Sequence, residues 1–343
     1  MSMRKYHVYG IGNALVDLEY EVTVDDLDRL RIDKGVMTLV DAAHQTEIMD
    51  HLSRHRPQKG SGGSVANSII AISQLGGKGF YSGKVADDAL GRFYVDDLLA
   101  NGVDTNRQGV RETGHTGRCV VLVTPDTDRT MLTYLGVSGD LSVRELNPEA
   151  LRDSDYFYTE GYLVTSDMAR SLSITAKEIA AAAGVKTAIS LSDPHLVTHF
   201  KVGLMTMIGG GVDLLFANEA EAKGLADIQD LNMTIAFLKT IVEEFAITRG
   251  PQGALIFDGT EIIEIAPVEV DAIDTLGAGD MFAGAFLYGL TQGWSHRRAG
   301  ELAAATAAKL VTRLGPRLRK EETRAILHIF SEVDPARGGS GMS

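Results

Sequence analysis

Short apolar runs and longer segments of helical period take turns along most of this chain. Residues 6–11, 79–85, 155–159, 187–191 and 212–217 read as strands, the last almost continuously apolar, and 245–248 and 254–257 as shorter ones. Between them, 42–51, 65–75, 90–100, 166–183, 278–290 and 299–314 carry apolar residues at helical spacing. This alternation predicts an α/β fold with a mainly parallel sheet covered on both faces. Ligands in such sheets bind beyond the carboxyl ends of the strands. Candidate chemistry clusters at those ends, at Gly12-Asn13, Asn218, Arg249-Gly250 and Gly277.

Two regions depart from the pattern. Residues 14–24 alternate loosely, as a half-exposed strand does, and 36–40 read as another strand. Residues 118–124 and 129–135 are rich in β-formers, and Pro125-Asp126-Thr127-Asp128 between them is turn chemistry. These segments predict a small separate β-sheet within 14–40 and 111–136. The large α/β unit then takes 1–13, 41–110 and 137–335. Residues 60–64 (Gly-Ser-Gly-Gly-Ser) read as a flexible turn, and 336–343 as a flexible tail.

Composition narrows the partners. The 343 residues are 44% hydrophobic and 23% charged, with a formal net charge of -13. Such an acidic chain is a poor partner for nucleic acid or an anionic membrane, and an anionic small substrate needs a local pocket of N–H groups. Cys119 is the single cysteine, so no internal disulfide forms, which fits a reducing compartment. The first residues lack the apolar core of a signal peptide, and the best apolar stretch, 203–217, is broken by Gly209-Gly210-Gly211 and Asp213. A cytoplasmic protein, monomer or homodimer, is expected.

The segment that best supplies such a pocket is Asp274-Thr275-Leu276-Gly277-Ala278-Gly279-Asp280, followed at once by a helical apolar run. A glycine turn opening a helix aims unpaired N–H groups at an anion. Asp280 within it could take a proton from a hydroxyl, or merely cap the helix. Gly62-Gly63-Ser64-Val65-Ala66-Asn67 is a second glycine turn, whose Ser64 and Asn67 could bind a polyol or serve as an ordinary cap. Asn218 and Glu221, one turn apart, could hold the water shell of Mg²⁺ or form a capping pair. Gly10-Ile11-Gly12 lacks the third glycine of a dinucleotide fingerprint, so Asn13 and Asp17 are read as hydroxyl binders. The pairs His51/His55 and His195/His199 lack the glutamate of a zinc protease helix. The basic run 313–320 reads as solvated surface.

In this order and wide spacing, the three motifs Gly62 to Asn67, Asn218 to Glu221 and Asp274 to Asp280 resemble the ribokinase-like (PfkB) family of carbohydrate and nucleoside kinases, over roughly residues 5–330. Within that family the chain is most similar to the adenosine kinase branch. The resemblance implies a three-layer αβα sandwich with a mainly parallel central sheet plus a small β-sheet lid. It also implies ATP-dependent phosphorylation of a primary hydroxyl, the 5′-hydroxyl of adenosine giving AMP. Asp280 would be the base, and the N–H groups of Gly277, Ala278 and Gly279 the anion hole. Asn218 and Glu221 would organise Mg²⁺. Asn13, Asp17, Gly62, Gly63, Ser64 and Asn67 would hold the ribose, Tyr162 would stack on the base, and Met37 and Leu135 would line the lid pocket. Arg129 would come down with the lid. Thr248, Gly250 and Gly253 would flank the ATP phosphates, and Ala304 with Ala308 the adenine. A monovalent cation such as K⁺ is common near such an anion hole. The alternatives are a sugar kinase of the same family, acting on ribose, fructose or a keto-deoxygluconate, and a catalytically silent nucleoside-binding protein.

Overall fold

The computed structural model describes residues 4–35, 37–106, 112–126 and 128–332. The tail at 336–343, Val36, Thr127 and residue 111 lie outside the described residues. The chain starts in β1 (Tyr6–Ile11) and crosses at once to a second sheet through β2 (Leu15–Glu21), α1 (Val24–Leu30), β3 (Met37–Leu39), α2 (Ala42–His51) and β4 (Gln58–Gly62). It returns through α3 (Ser64–Gln74), β5 (Gly79–Ser82), α4 (Ala89–Ala100) and β6 (Asp104–Thr105), then leaves again for the hairpin β7 (Gly117–Val123) and β8 (Arg129–Tyr134). The remaining strands are β9 (Ser154–Glu160), β10 (Lys186–Ser190), β11 (Leu214–Asn218), β12 (Glu244–Thr248), β13 (Ala254–Phe257) and β14 (Ile262–Ile265). Among them run α5 (Pro148–Arg152), α6 (Asp167–Ala182), α7 (Pro194–Ile208), α8 (Glu219–Ala226) and α9 (Leu231–Leu238). Helices α10 (Ala278–Thr291), α11 (His296–Val311) and α12 (Lys320–Glu332) follow the last strand.

The large sheet has nine strands in the order β14-β13-β12-β11-β10-β9-β1-β5-β6. From β12 to β6 neighbouring strands pair parallel, and β13 and β14 add an antiparallel edge. The order reverses between β1 and β9, which opens a crevice at their carboxyl ends. Two apolar layers cover the faces. One gathers Ile69, Phe216, Phe282 and Phe286 under α3, α10 and α11, the other Phe157, Leu172, Leu204 and Phe245 under α6 and α7. Tyr158, Phe216 and Phe286 meet edge to face at centroid distances of 5.9 and 5.8 Å, an arrangement that adds to simple burial.

The small sheet has the order β3-β8-β7-β2-β4. Its two-residue period separates its faces. Val120, Leu122 and Leu132 join the buried core with Leu27 of α1 and Ile48 of α2, whereas Cys119, Val121, Val123 and Met131 form a thin layer on the opposite face. Three readings are corrected here. Residues 60–62 of the expected flexible turn are paired strand, because Gly60, Ser61 and Gly62 lie opposite Asp17, Val16 and Leu15. The alternation read through 14–24 stops at Glu21, since Thr23 and Asp26 form a capping box that starts α1 instead. Strand 79–85 ends at Ser82.

Candidate active site

A cavity of about 990 Å³ lies between the two sheets, over the reversal point. Its floor is built by strand ends and helix starts of the large sheet, and its roof by the face of the small one that carries Cys119 and Val121. On the roof, Leu15 and Asp17 of β2, Cys119 and Val121 of β7, and Arg129, Met131 and Thr133 of β8 face the cavity. Each set is spaced by two, as one face of a strand requires. Met37 and Leu135 complete this wall, and Tyr162 stands in the opposite one.

Asp280 sits in the first turn of α10, where its carboxylate accepts from Ser64 Oγ at 2.6 Å and from Asn67 Nδ2 at 2.9 Å. Burial raises its pKa, opposed by those two donors and by Arg317. The turn before it depends on Gly277, the N-cap of α10. Its φ is +73°, and an added Cβ would stand 2.5 Å from the Pro316 carbonyl oxygen. Ala278 N–H reaches back to the Thr275 carbonyl at 3.2 Å, so it is spent within the turn. Among the described residues, the N–H groups of Gly277, Gly279 and Asp280 have no protein acceptor. Together with the positive end of α10 they form an open anion cradle.

Asp274 has a clear structural role. It is buried, accepts Leu276 N–H at 3.0 Å and Gly315 N–H at 2.8 Å, and pairs with Arg129 Nη2 at 2.8 Å. Arg129 Nη1 also reaches Glu19 at 2.8 Å. Strand β8 of the small sheet is thereby tied to the glycine turn by a buried ion pair.

Asn13 follows β1. Its N–H donates to Glu160 Oε1 at 2.8 Å, and Val65 N–H in the first turn of α3 donates to Glu160 Oε2 at 2.9 Å. Glu160 therefore pins β1, β9 and α3 together. Burial pushes its pKa up to about 7, against those two donors. Gly12 is small because α3 and this carboxylate crowd it: a Cβ there would lie 2.5 Å from Glu160 Oε2. That packing, and no dinucleotide, accounts for the Gly10-Ile11-Gly12 run. Asp17, facing the same space, is also pushed by burial up to about 7, with Arg317 opposing.

Asn218 and Glu221 form a complete capping box. Asn218 N–H and Nδ2 donate to Glu221 at 2.9 and 2.7 Å, and Glu221 N–H donates to Asn218 Oδ1 at 2.8 Å. Burial raises Glu221 to about 7. Among the described residues no group of three or more His, Cys, Asp or Glu converges as a metal would need. The lone pairs left on Glu221 suit the water shell of a hard cation, which would sit here only in company with a bound nucleotide.

Of the residues singled out from sequence, Asn13, Asp17, Met37, Gly63, Ser64, Asn67, Arg129, Leu135, Tyr162, Asn218, Glu221, Thr248, Gly277, Gly279 and Asp280 share this one cavity. Gly62 stands behind its wall, its carbonyl accepting the Tyr94 hydroxyl at 3.0 Å. Gly250, Gly253, Ala304 and Ala308 lie outside the lining. Gly253 has φ +80° in the turn before β13, and Ala304 and Ala308 are half-buried one turn apart on α11. His195 and His199 are exposed at the cavity rim, and no metal cluster includes them.

Sequence reasoning passed over Glu160 and Arg317. Glu160 was signalled by a lone carboxylate ending the apolar strand Tyr156-Phe157-Tyr158-Thr159. Arg317 was read as solvated with its basic neighbours. It is half-buried instead, because Pro316 packs on Gly277 and Leu318 enters the core beside Met281.

Comparison with known proteins agrees with this geometry. Residues 32–324 match the PfkB family, described as pfkB family carbohydrate kinase. A curated relative named probable fructokinase-3, from Arabidopsis thaliana, is 29% identical over 240 residues, covering 67% of this chain and 68% of that protein. The crystal structure of a probable sugar kinase protein from Rhizobium etli CFN 42 superposes with a TM-score of 0.87 at 31% identity, covering 95% of this chain and 99% of the other. That of adenosine kinase from Sinorhizobium meliloti gives 0.85 at 33% identity, covering 94% and 98%. The chain therefore belongs to the PfkB family of carbohydrate kinases, enzymes that transfer a phosphoryl group to a hydroxyl.

Proposed function

We propose that this chain transfers the terminal phosphoryl group of ATP to the 5′-hydroxyl of a nucleoside, adenosine giving AMP. One observation carries the choice of acceptor: the cavity lining combines hydrogen-bonding groups near Asp280 with a set of apolar side chains. Asn13, Asp17, Gly63 and Asn67 offer hydrogen-bonding groups beside Asp280, enough for a ribose. The same lining carries Leu15, Met37, Cys119, Val121, Met131, Leu135 and Tyr162. A flat base suits those side chains. A free sugar against them would leave hydroxyls unpaired, at about 1–3 kcal/mol each.

Asp280 takes the proton of the attacking hydroxyl, its carboxylate held by Ser64 and Asn67. The open N–H groups at the start of α10 stabilise charge on the transferring phosphoryl oxygens. Mg²⁺, when bound with ATP, neutralises phosphate charge, and Asn218 with Glu221 would hold its waters. The small sheet closes over the cavity and keeps water from competing with the acceptor. Arg129 holds that sheet to Asp274.

The fructokinase relative supports a second reading, in which a sugar is the acceptor. Purified protein assayed with ATP and Mg²⁺ on adenosine, inosine, guanosine, ribose, fructose and 2-keto-3-deoxygluconate separates the two. Fastest turnover on a nucleoside is expected. Faster turnover on a free sugar than on every nucleoside overturns the first reading in favour of the second.

A further inference from the structure

Arg317 lies in the loop between α11 and α12, outside the glycine turns and the Asn218 box. Its three guanidinium nitrogens have three different acceptors. Nε donates to Asn67 Oδ1 at 2.8 Å, Nη1 to Asp97 Oδ2 at 3.0 Å, and Nη2 to Ser61 Oγ at 2.9 Å. Ser61 Oγ in turn donates to Asp97. These partners come from α3, α4 and the lid strand β4. The loop is itself clamped, with Gly315 N–H on Asp274, Pro316 against Gly277, and Leu318 in the core. The guanidinium is therefore held in place before any substrate arrives.

Its contact with Asn67 has a chemical consequence. An amide side chain can point either its oxygen or its nitrogen at a neighbour, and a guanidinium can only donate. Arg317 must face Oδ1, so Nδ2 is turned towards Asp280, which it reaches at 2.9 Å. With the amide reversed, oxygen would face the carboxylate and NH₂ would face the cation. We propose that Arg317 is a positioning residue for phosphoryl transfer: through Asn67 it fixes the carboxylate of Asp280, and through Ser61 and Asp97 it registers lid strand β4 against the floor of the site. This rests on the reading of Asp280 as the base of a kinase.

The surroundings of Asp280 give a readout that simple packing does not. Asp17 from β2, Glu160 and Tyr158 from β9, and Tyr162 from the turn after β9 are the acidic groups that act on it or feel its charge. Arg317 opposes them and favours the ionised forms of both Asp280 and Asp17. Removing it raises the pH at which Asp280 becomes an effective base.

The test compares wild type, Arg317→Met, Arg317→Lys and Asp280→Asn, with kcat and KM for acceptor and ATP measured across pH and folding followed by circular dichroism. Arg317→Met is expected to lose kcat about 30- to 100-fold, with KM for ATP within threefold, and to move the acid limb of the kcat profile to higher pH. Arg317→Lys keeps the charge but not the fork. It should return the acid limb towards wild type while recovering only part of kcat. A folded Arg317→Met with wild-type kcat and acid limb overturns the proposal. If Arg317→Met does not fold, wild-type kcat and pH profile in Arg317→Lys overturn it equally, because the fork is then dispensable. A wild type that phosphorylates no acceptor, or an Asp280→Asn as active as wild type, overturns the kinase reading of Asp280 and this inference together.

Discussion

Helices α3 and α10 both begin at a glycine without a side-chain cap, and both point their first turns at the same cavity. Their ends differ in what the protein places on them. At the start of α3 a protein carboxylate, Glu160, takes Val65 N–H, whereas at the start of α10 no carboxylate accepts the N–H groups of Gly279 and Asp280 among the described residues. Helix α8 resembles α3 here, its terminus closed by its own Asn218–Glu221 box. A glycine turn before a helix is thus not an anion site by itself. It becomes one where nothing in the protein occupies it. The first terminus serves the second, since α3 carries Ser64 and Asn67, the two donors to Asp280.

The severest test of this contrast is Asp280→Asn. It keeps the shape of the open terminus and removes the base, so turnover should fall by about two orders of magnitude or more while acceptor binding, read by calorimetry, persists. Binding and turnover lost together would mean that the carboxylate shapes the site instead. Gly277→Ala attacks the turn itself. With φ +73° and the Pro316 oxygen 2.5 Å from the new methyl, it should cost roughly 2–4 kcal/mol in urea unfolding and most of the activity.

Gly279→Ala sharpens the comparison, because no atom lies within 4 Å of a Cβ at that position. The fold should be unaffected, yet a methyl at the mouth of the cradle should lower kcat by about tenfold. Unchanged kcat would show that the transferring group does not approach this turn.

The smallest expected effect concerns the terminus that Glu160 meets. The folded pKa of Glu160, about 7, stands above its ordinary 4.5, so the native state binds this proton more tightly than the unfolded chain does. Its contribution to stability is complete below pH 4.5 and is lost as pH rises through 7. Asp17 and Glu221, also raised to about 7, act in the same direction. Glu160→Gln removes one of these three terms and should flatten the fall in stability between pH 5 and 7, measured by urea unfolding at each pH. An unaltered slope would show that Glu160 is already ionised in the native state at pH 5.

Much of this was legible in the chain because it is written locally. The run of Tyr6 to Ile11, the helix of Ala42 to His51 and the strand of Ala254 to Phe257 are fixed by nearest neighbours and their period, and the structure reproduces their limits. The glycine turns and the Asn218 pair also consist of adjacent residues. Strand β4 was missed because its sequence, Gln58-Lys59-Gly60-Ser61-Gly62, has almost no β character and is held by pairing with β2 and by Ser61's bond to Asp97.

What the sequence by itself determined was the α/β alternation, the separate β segments, and which turns could attract an anion or hold a proton. Tertiary structure alone decided which turn meets a carboxylate of the protein. Glu160 lies 95 residues from the N–H it fills, and Arg317 lies 250 from the amide it orients. Propensity and period act over one or two turns of chain, whereas the occupancy of a helix end and the field at a carboxylate depend on groups that only folding brings within a few ångströms.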